Sequence, residues 1–321
     1  MYYIGKRLGI TLLTLLLVSL LTFACFHIIP GDAALLSLGT DATEEQVEAM
    51  RAELGLDKSL PIQYASWLGA FVTGSLGNSS RFRGESISAM VAERLPVTFH
   101  LAIISLIMVI IIAVPASFIG IKKENSFLDR LVNTFTAINI SMPGFFLGVL
   151  LIWIFGLGFK LFTPGSYIDY RENYTGFLGC LFFPALAIAL PNAAILVKFL
   201  RSSIFREFNS DYVRTARSKG LNRSQALFRH VVKNACLPAV TLLGMIIGEV
   251  FSGSIVIEQV FTIPGIGRLL IASITSRDYP MAQTLVVYIA FVVVLGNTLV
   301  DIAIRVIDPR IADARVREDA Q

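Results

Sequence analysis

Long apolar runs separated by shorter polar stretches organise this chain. The runs cover about Leu8–Ile29, Val97–Ile121, Leu131–Leu157, Phe177–Phe199, Leu237–Ile257 and Met281–Ile307. Each is about twenty residues or more, the length of helix that crosses a hydrocarbon core of ~30 Å. Inside lipid the backbone must satisfy its own hydrogen bonds, so such runs are read as helices. A closed barrel would alternate polar and apolar residues over ~10-residue strands, and that alternation is absent. The pattern predicts an all-α polytopic membrane protein with six transmembrane helices.

Proline and glycine punctuate the runs. Pro30-Gly31 ends the first, which is too long for the 7–15-residue apolar core of a signal peptide and is expected to remain a membrane helix. Pro115 predicts a kink in the second, and Pro143-Gly144 predicts a break in the third. Pro184 and Pro191 lie inside the fourth. Residues 158–176 and Val260–Pro280 read as loops, the latter centred on Thr262-Ile263-Pro264-Gly265-Ile266-Gly267. Asp308-Pro309-Arg310 ends the sixth run, and the mixed-charge tail 311–321 is expected to be mobile.

The longest polar segment, 31–96, predicts short helices on or near the membrane rather than a domain of its own. Thr43 with Gln46 fits a capping box, followed by a face of Val47, Met50 and Leu54 that Gly55 closes. Pro61 opens a second helix with Ile62, Trp67, Leu68 and Phe71. Glu85–Arg94 reads as a third short amphipathic piece, and Ser75–Ser80 as a Gly- and Ser-rich turn. The organisation expected is 1–96 (first crossing plus outside segment), 97–310 (five-helix core with a polar loop at 200–236) and the tail.

Charge orients these pieces. Only 16% of residues are charged, against about 25% in soluble domains. Residues 31–96 hold five Lys/Arg against nine Asp/Glu, whereas 198–233 hold nine Lys/Arg against Glu207 and Asp211. Excess Lys/Arg marks the cytoplasmic side. Six crossings then put both termini, the Lys122-Lys123 turn and the basic loop inside, and 31–96 outside.

No catalytic constellation is visible. His27, His100 and His230 are scattered, and neither a zinc-protease helix motif nor a phosphate-binding Gly-rich loop occurs. Cys25, Cys180 and Cys236 sit in or beside apolar runs and read as buried small side chains. Cys25 and His27, two apart on a helix, do not share a face. No metal site and no cofactor of its own is expected, so any energy must come from a partner.

The basic island Asp211–Pro238 is the informative stretch. A connection needs only a few residues, and this one has helical spacing. Tyr212, Val213 and Ala216 form a short apolar stripe flanked by Arg214, Arg217 and Lys219. Gly220 permits a sharp turn, and Ala226, Leu227 and Val231 form a second stripe before Pro238 opens the next crossing. Two readings fit: a basic loop solvated or held by anionic headgroups, and a helix that docks on a partner.

The order Tyr212-Val213-Arg214-Thr215-Ala216-Arg217-Ser218-Lys219-Gly220-Leu221, then Arg229-His230 and Asn234-Ala235-Cys236-Leu237-Pro238, resembles the cytoplasmic coupling loop of ABC-importer permeases. It is most similar to the B-type permease subunit of dipeptide, oligopeptide and nickel uptake systems. Further matching pieces span nearly the whole chain: Ile29-Pro30-Gly31-Asp32, Leu54-Gly55-Leu56-Asp57, Gly74-Ser75-Leu76-Gly77, Arg94-Leu95-Pro96-Val97-Thr98, Val260-Phe261, Pro264-Gly265-Ile266-Gly267 and Asp308-Pro309-Arg310. Arg214-Thr215-Ala216 stands where the broader signature begins Glu-Ala-Ala, Ser218 where Ala is commoner, Ser75 where Asp is usual, and Gly84-Glu85 where Pro-Val is frequent. These departures leave the substrate open.

The resemblance implies a type I ABC-importer permease fold in a bacterial inner membrane, with no catalytic residue in this chain. It implies a heterodimer with a homologous C-type permease, two cytoplasmic ATPases that bind ATP and Mg, and an extracytoplasmic solute-binding protein. Lipid, but no nucleic acid, is an expected partner. The coupling residues it implies are Tyr212, Val213, Arg214, Thr215, Ala216, Arg217, Lys219 and Gly220, with Ala216 and Gly220 as the tight contacts. The cargo implied is a peptide or related small solute, such as a nickel complex. The rival classes are an ion-coupled secondary transporter, which would show repeats and mid-membrane ion sites, and a membrane scaffold. For the path, Glu249 lies mid-way through the fifth run, where a carboxylate faces a water-filled cavity or a cationic partner. Substrate and partner permease are both open readings for it. Asn139 and Asn192, beside proline breaks, fit either pore lining or interhelical hydrogen bonds.

Overall fold

The computed structural model describes residues 2–28, 38, 42–53, 55–79, 85–122 and 126–307. The predicted features at Pro30-Gly31, at Lys123 and from Asp308 onward lie outside them. In order, the described elements are α1 (Tyr2–Ile28), α2 (Glu44–Glu53), α3 (Leu60–Thr73), α4 (Ile87–Lys122), α5 (Phe127–Ser141), α6 (Gly144–Leu151) continuing as a π-helix (Ile152–Gly158), α7 (Tyr174–Phe208), α8 (Asp211–Ser218), α9 (Arg223–Ala226) followed by a π-helix (Leu227–Val231), α10 (Val232–Val260), α11 (Ile266–Thr275) and α12 (Tyr279–Ile307). Among the described residues the one extended pairing is an isolated bridge between Asn78 and Ser86.

Among the described residues, five helical stretches are long and apolar enough to cross a membrane: Gly5–Ile28, Ile87–Ile119, Tyr174–Phe208, Pro238–Val260 and Tyr279–Ile302. The remaining predicted crossing is a pair, Phe127–Ser141 and Gly144–Gly158, bent by 109°. Counted as one broken span, it brings the number to six. The break has a local cause. Proline at 143 drives the residue before it out of the helical region, and Met142 sits at φ −102°, ψ 131°. Pro143 itself is extended and starts α6, accepting from the N–H groups of Phe146 and Leu147.

Three expectations change. The piece Glu85–Arg94 is not separate: it is the start of α4, a single 36-residue helix that runs through Pro96 and Pro115. Its residues Ile87, Met90 and Val91 are buried, and that packing outweighs the cost of the missing proline hydrogen bond. The loop Val260–Pro280 contains α11, whose Ile266, Leu269 and Leu270 are buried. The helix of the fifth crossing starts earlier than the expected loop allows: α10 begins at Val232, although the apolar stretch long enough to cross does open at Pro238.

The chain forms two compact units: Met1–Phe99 with Pro264–Leu295, and His100–Ile263 with Gly296–Gln321. The first has a core of Ile87, Met90, Val91, Ile266, Leu269, Leu270, Met281, Ala282 and Leu285. The Thr98 hydroxyl accepts from the N–H of Ile266 at 2.9 Å and caps α11. Asp278 takes the buried Ser79 hydroxyl on one oxygen and the N–H of Met281 on the other, so it fixes the Gly74–Ser79 turn and begins α12 together. Thr43 and Gln46 form the predicted reciprocal cap of α2, and Gly55 and Gly74 take the left-handed conformation expected after a helix. His27 is held by Phe23 and Gln63, and Phe23 packs on Tyr64 and Trp67 of α3.

The second unit is built around α7. In its membrane window 61% of residues are buried, against 28% in α10. Helices α5, α6 and α10 pack on it. Small side chains at Ala185, Ala187, Ala189, Ala193 and Ala194 are buried along α7, which lets neighbouring backbones approach without bulk between them.

Candidate functional site

The polar platform begins where α7 runs out of apolar sequence. Asn209 caps α7, and the Ser210 hydroxyl donates to Glu207 O at 2.6 Å. The chain then turns into α8. Val213 is fully buried and fastens α8 to the unit. Ala216 is half-buried, while Arg214, Thr215, Arg217, Ser218 and Lys219 are exposed. The hydroxyls of Thr215 and Ser218 donate to carbonyls one turn back, at Asp211 and Arg214. Arg214 pairs with Asp211 at 3.7 Å on the open surface, where such pairs contribute at most about 1 kcal/mol. The outward face of α8 is therefore a row of exposed cationic side chains on a short helix.

Gly220 ends the helix at φ +93°, a conformation that side chains other than glycine adopt only with strain. Asn222 and Gln225 then form a capping box that starts α9. Ala226, Leu227, Val231 and Ala235 are buried and lead into α10. Arg223 lies over the ring of Phe208, and Phe228 stacks on Phe118.

Tyr212 ties the platform together. Its hydroxyl donates to Glu207 Oε2 at 2.6 Å and accepts from Asn234 Nδ2 at 3.0 Å. Partial burial, and then the Glu207 carboxylate beside it, push this hydroxyl above the ordinary tyrosine range, so it stays a donor. One side chain thus joins the end of α7, the short helix α8 and the start of α10. The sequence points to Tyr212 but not to its partners. Glu207 and Asn234 lie five and twenty-two residues away, and spacing alone does not signal such a bridge.

The path residues fall into distinct settings. Glu249 is exposed mid-way along α10 and, with Asn192, Pro191, Gly144 and Gly253, lines a cavity of about 250 Å³. Asn192 is buried; its amide donates to Ile188 O at 2.9 Å and its Oδ1 has no partner. Glu249 is the charged group on the lining of this cavity. Asn139 is buried on α5, donates to Phe135 O at 2.8 Å and also has an unpartnered Oδ1. It does not line this cavity. Both asparagine amides are spent on their own helices rather than across a helix pair.

A buried ion pair joins α5 and α7. Arg201 of α7 donates from Nη2 to Asp129 Oδ1 of α5, and both residues are buried. The signal was present: each charge sits at the end of an apolar run, Asp129 just before Leu131 and Arg201 just after Phe199. Among the described residues no group of three His, Cys, Asp or Glu could hold a metal.

Its long apolar helices make this chain a multi-pass membrane protein. Residues 112–313 match the family described as binding-protein-dependent transport system inner membrane component, and residues 1–102 match the N-terminal membrane component of the same systems. The chain belongs to this family, the inner-membrane permeases of ABC importers, and has their fold. It is 37% identical over 313 residues to a putative peptide permease of Brucella suis, covering 96% of this chain and 98% of that protein. It is 34% identical over 309 residues to a probable peptide ABC transporter permease of Sinorhizobium fredii, covering 96% and 98%. It is 32% identical over 311 residues to the oligopeptide transport system permease AppB of Bacillus subtilis, covering 96% and 98%. The family is a transport component, not a catalyst.

Proposed function

We propose that this chain is one half of the membrane channel of an ATP-driven importer of short peptides. It works as the B-type subunit in a heterodimer with a homologous C-type permease in a bacterial inner membrane, both termini cytoplasmic. Two cytoplasmic ATPases bind ATP and Mg, and an external binding protein delivers the peptide. Helix α8 seats on one ATPase. The residues that present to it are Arg214, Thr215, Arg217 and Lys219, while Val213 and Tyr212 hold the helix from behind and Ala216 and Gly220 allow close approach. The path runs past Glu249, Asn192 and Asn139.

One observation carries this reading: α8 is exposed and basic on its outer face yet tied to both α7 and α10 through Tyr212. A loop that only touched headgroups would need charge but no such bracing. A braced helix transmits displacement to the two longest helices of its unit. The ATPase must bind two conformations with different affinity for ATP to drive the change, and a rigid lever supplies that difference. The peptide names of the relatives support the substrate class.

The test is uptake by membrane vesicles holding the complete transporter. Peptide uptake should follow ATP hydrolysis and survive collapse of the proton gradient, and a cysteine at Arg217 should cross-link to an ATPase from the cytoplasmic side. Uptake that stops with the gradient favours an ion-coupled secondary transporter. No uptake with intact assembly favours a scaffold. Uptake of a nickel complex in place of peptide moves the cargo to the metal branch of the family.

A further inference from the structure

Glu249 stands midway between Pro238 and Val260, the ends of the apolar stretch of α10. A carboxylate at that depth is expensive and, where one is kept, faces a water-filled cavity or a cation. Glu249 is exposed on α10. The Ser252 hydroxyl donates to its main-chain carbonyl, but among the described residues no donor reaches its carboxylate.

The cavity beside it has the make-up of a cation site. Among its described lining residues Glu249 is the one charged side chain. Phe145 lines the same space with an exposed ring, and the face of an aromatic ring attracts a cation. Ile188 and Val256 make the rest of the wall largely apolar. At about 250 Å³ the cavity falls below the ~300–1,000 Å³ that encloses a drug-sized ligand. It takes one end of a cargo, not the whole of it.

The walls are also those of a passage. Gly144 opens α6 directly after the 109° bend, and Pro191 lies inside α7. Irregular backbone at membrane depth is tolerated where it is packed in protein or lines a water-filled cavity, and transporters place cargo sites near mid-membrane on such broken helices. The helices that carry Pro191 and Glu249, α7 and α10, are the two that Tyr212 joins to α8.

We infer that Glu249 receives the N-terminal ammonium of the transported peptide, so that this subunit itself favours peptides with a free amino end. The inference rests on the peptide-importer reading above. The rival occupant is a fixed cationic side chain of the partner permease. A permanent pair of that kind needs neither an open cavity nor broken walls around it, which favours a passing cation.

The experiment is ATP-driven uptake by the complete transporter in proteoliposomes, with the binding protein saturated by tetra-alanine or by N-acetyl-tetra-alanine. The same binding protein serves native and variant transporters, so its own preference cancels when their uptake ratios are compared. Glu249→Gln keeps the size of the side chain and removes its charge. It should reduce the preference for the free amine about tenfold relative to the native transporter, the effect of one hydrogen bond to a charged group. Glu249→Asp should keep most of the preference. A preference that Glu249→Gln leaves unchanged or enlarges overturns the inference. So does an equal slowing of both peptides, and loss of the C-type permease from the purified complex in that case assigns the carboxylate to the partner. Absence of ATP-driven tetra-alanine uptake by the native transporter sinks the importer reading itself and is distinct from an unchanged preference.

Discussion

The amide of Asn234 and the phenol of Tyr212 meet at 3.0 Å across twenty-two residues of chain. Through the same oxygen Tyr212 donates to Glu207. The bond closes a ring of chain around the platform: α7, α8, the Gly220 turn, α9 and the start of α10.

Tyr212→Phe keeps the ring in place and removes both hydrogen bonds. Because the site is exposed, water can satisfy Glu207 and Asn234, and the cost should be about 0.5–1.5 kcal/mol per bond. That is enough to raise the open fraction of the loop about fivefold or more. Trypsin should cut after Arg214, Arg217 and Lys219 correspondingly faster in membranes. Uptake should fall while the amount of protein in the membrane stays the same. An unchanged cleavage rate would mean that burial of Val213 alone orders the helix.

Gly220 separates strain from contact. At φ +93° a Cβ there would meet nothing within 4 Å inside this chain. The intramolecular cost of substitution is therefore backbone strain of about 1–3 kcal/mol, least for Asn, which visits the left-handed region most readily. Gly220→Asn should retain most uptake. Gly220→Trp should abolish it while the protein remains in the membrane, because the ring adds bulk where the ATPase is proposed to close on the turn. Equal uptake by the Asn and Trp variants would show that nothing packs against this turn.

Much of this architecture can be read directly from the residues. Run length and proline position give the crossings and the break at 143, since both follow from local rules of lipid and backbone. Charge gives the platform. What escapes is long-range pairing. Arg94–Thr98 and Pro264–Gly267 are two separate pieces of the resemblance, yet Thr98 caps the helix that begins at Ile266. The helix α11 reads as loop because its flanking glycines and prolines mask ten residues whose burial is decided by α4 and α12. The Asp129–Arg201 pair joins two helices 72 positions apart, and periodicity within either helix says nothing of the other.

Gly244 marks the tightest helix approach in its neighbourhood. A Cβ at this position would lie 2.8 Å from Val300 Cγ1, and Gly296 sits similarly against Ile247 at 3.2 Å. Gly244→Leu forces α10 from α12 and should destabilise the unit by about 1–3 kcal/mol, the usual cost of overpacking. Gly179→Ala on α7, with nothing within 4 Å, should be neutral or stabilising by up to about 1 kcal/mol through helix propensity. The aggregation temperature of the solubilised complex measures both. If Gly244→Leu is as stable as Gly179→Ala, the close contact yields without cost.

The pair of Asp129 and Arg201 separates stability from use. Breaking a buried pair by removing one partner leaves an uncompensated charge and costs about 3–5 kcal/mol, whereas replacing both by apolar residues is often near neutral. Arg201→Met alone should therefore lower the aggregation temperature sharply. Asp129→Leu with Arg201→Met should recover most of the loss, giving a coupling of at least about 2 kcal/mol in a double-mutant cycle. If the arginine served only to hold α5 on α7, the recovered double variant would transport normally. Since Arg201, with Lys198, also lines a cavity of about 490 Å³ between α5 and α7, the stable double variant should still transport poorly. Full uptake by that variant would reduce the pair to scaffolding.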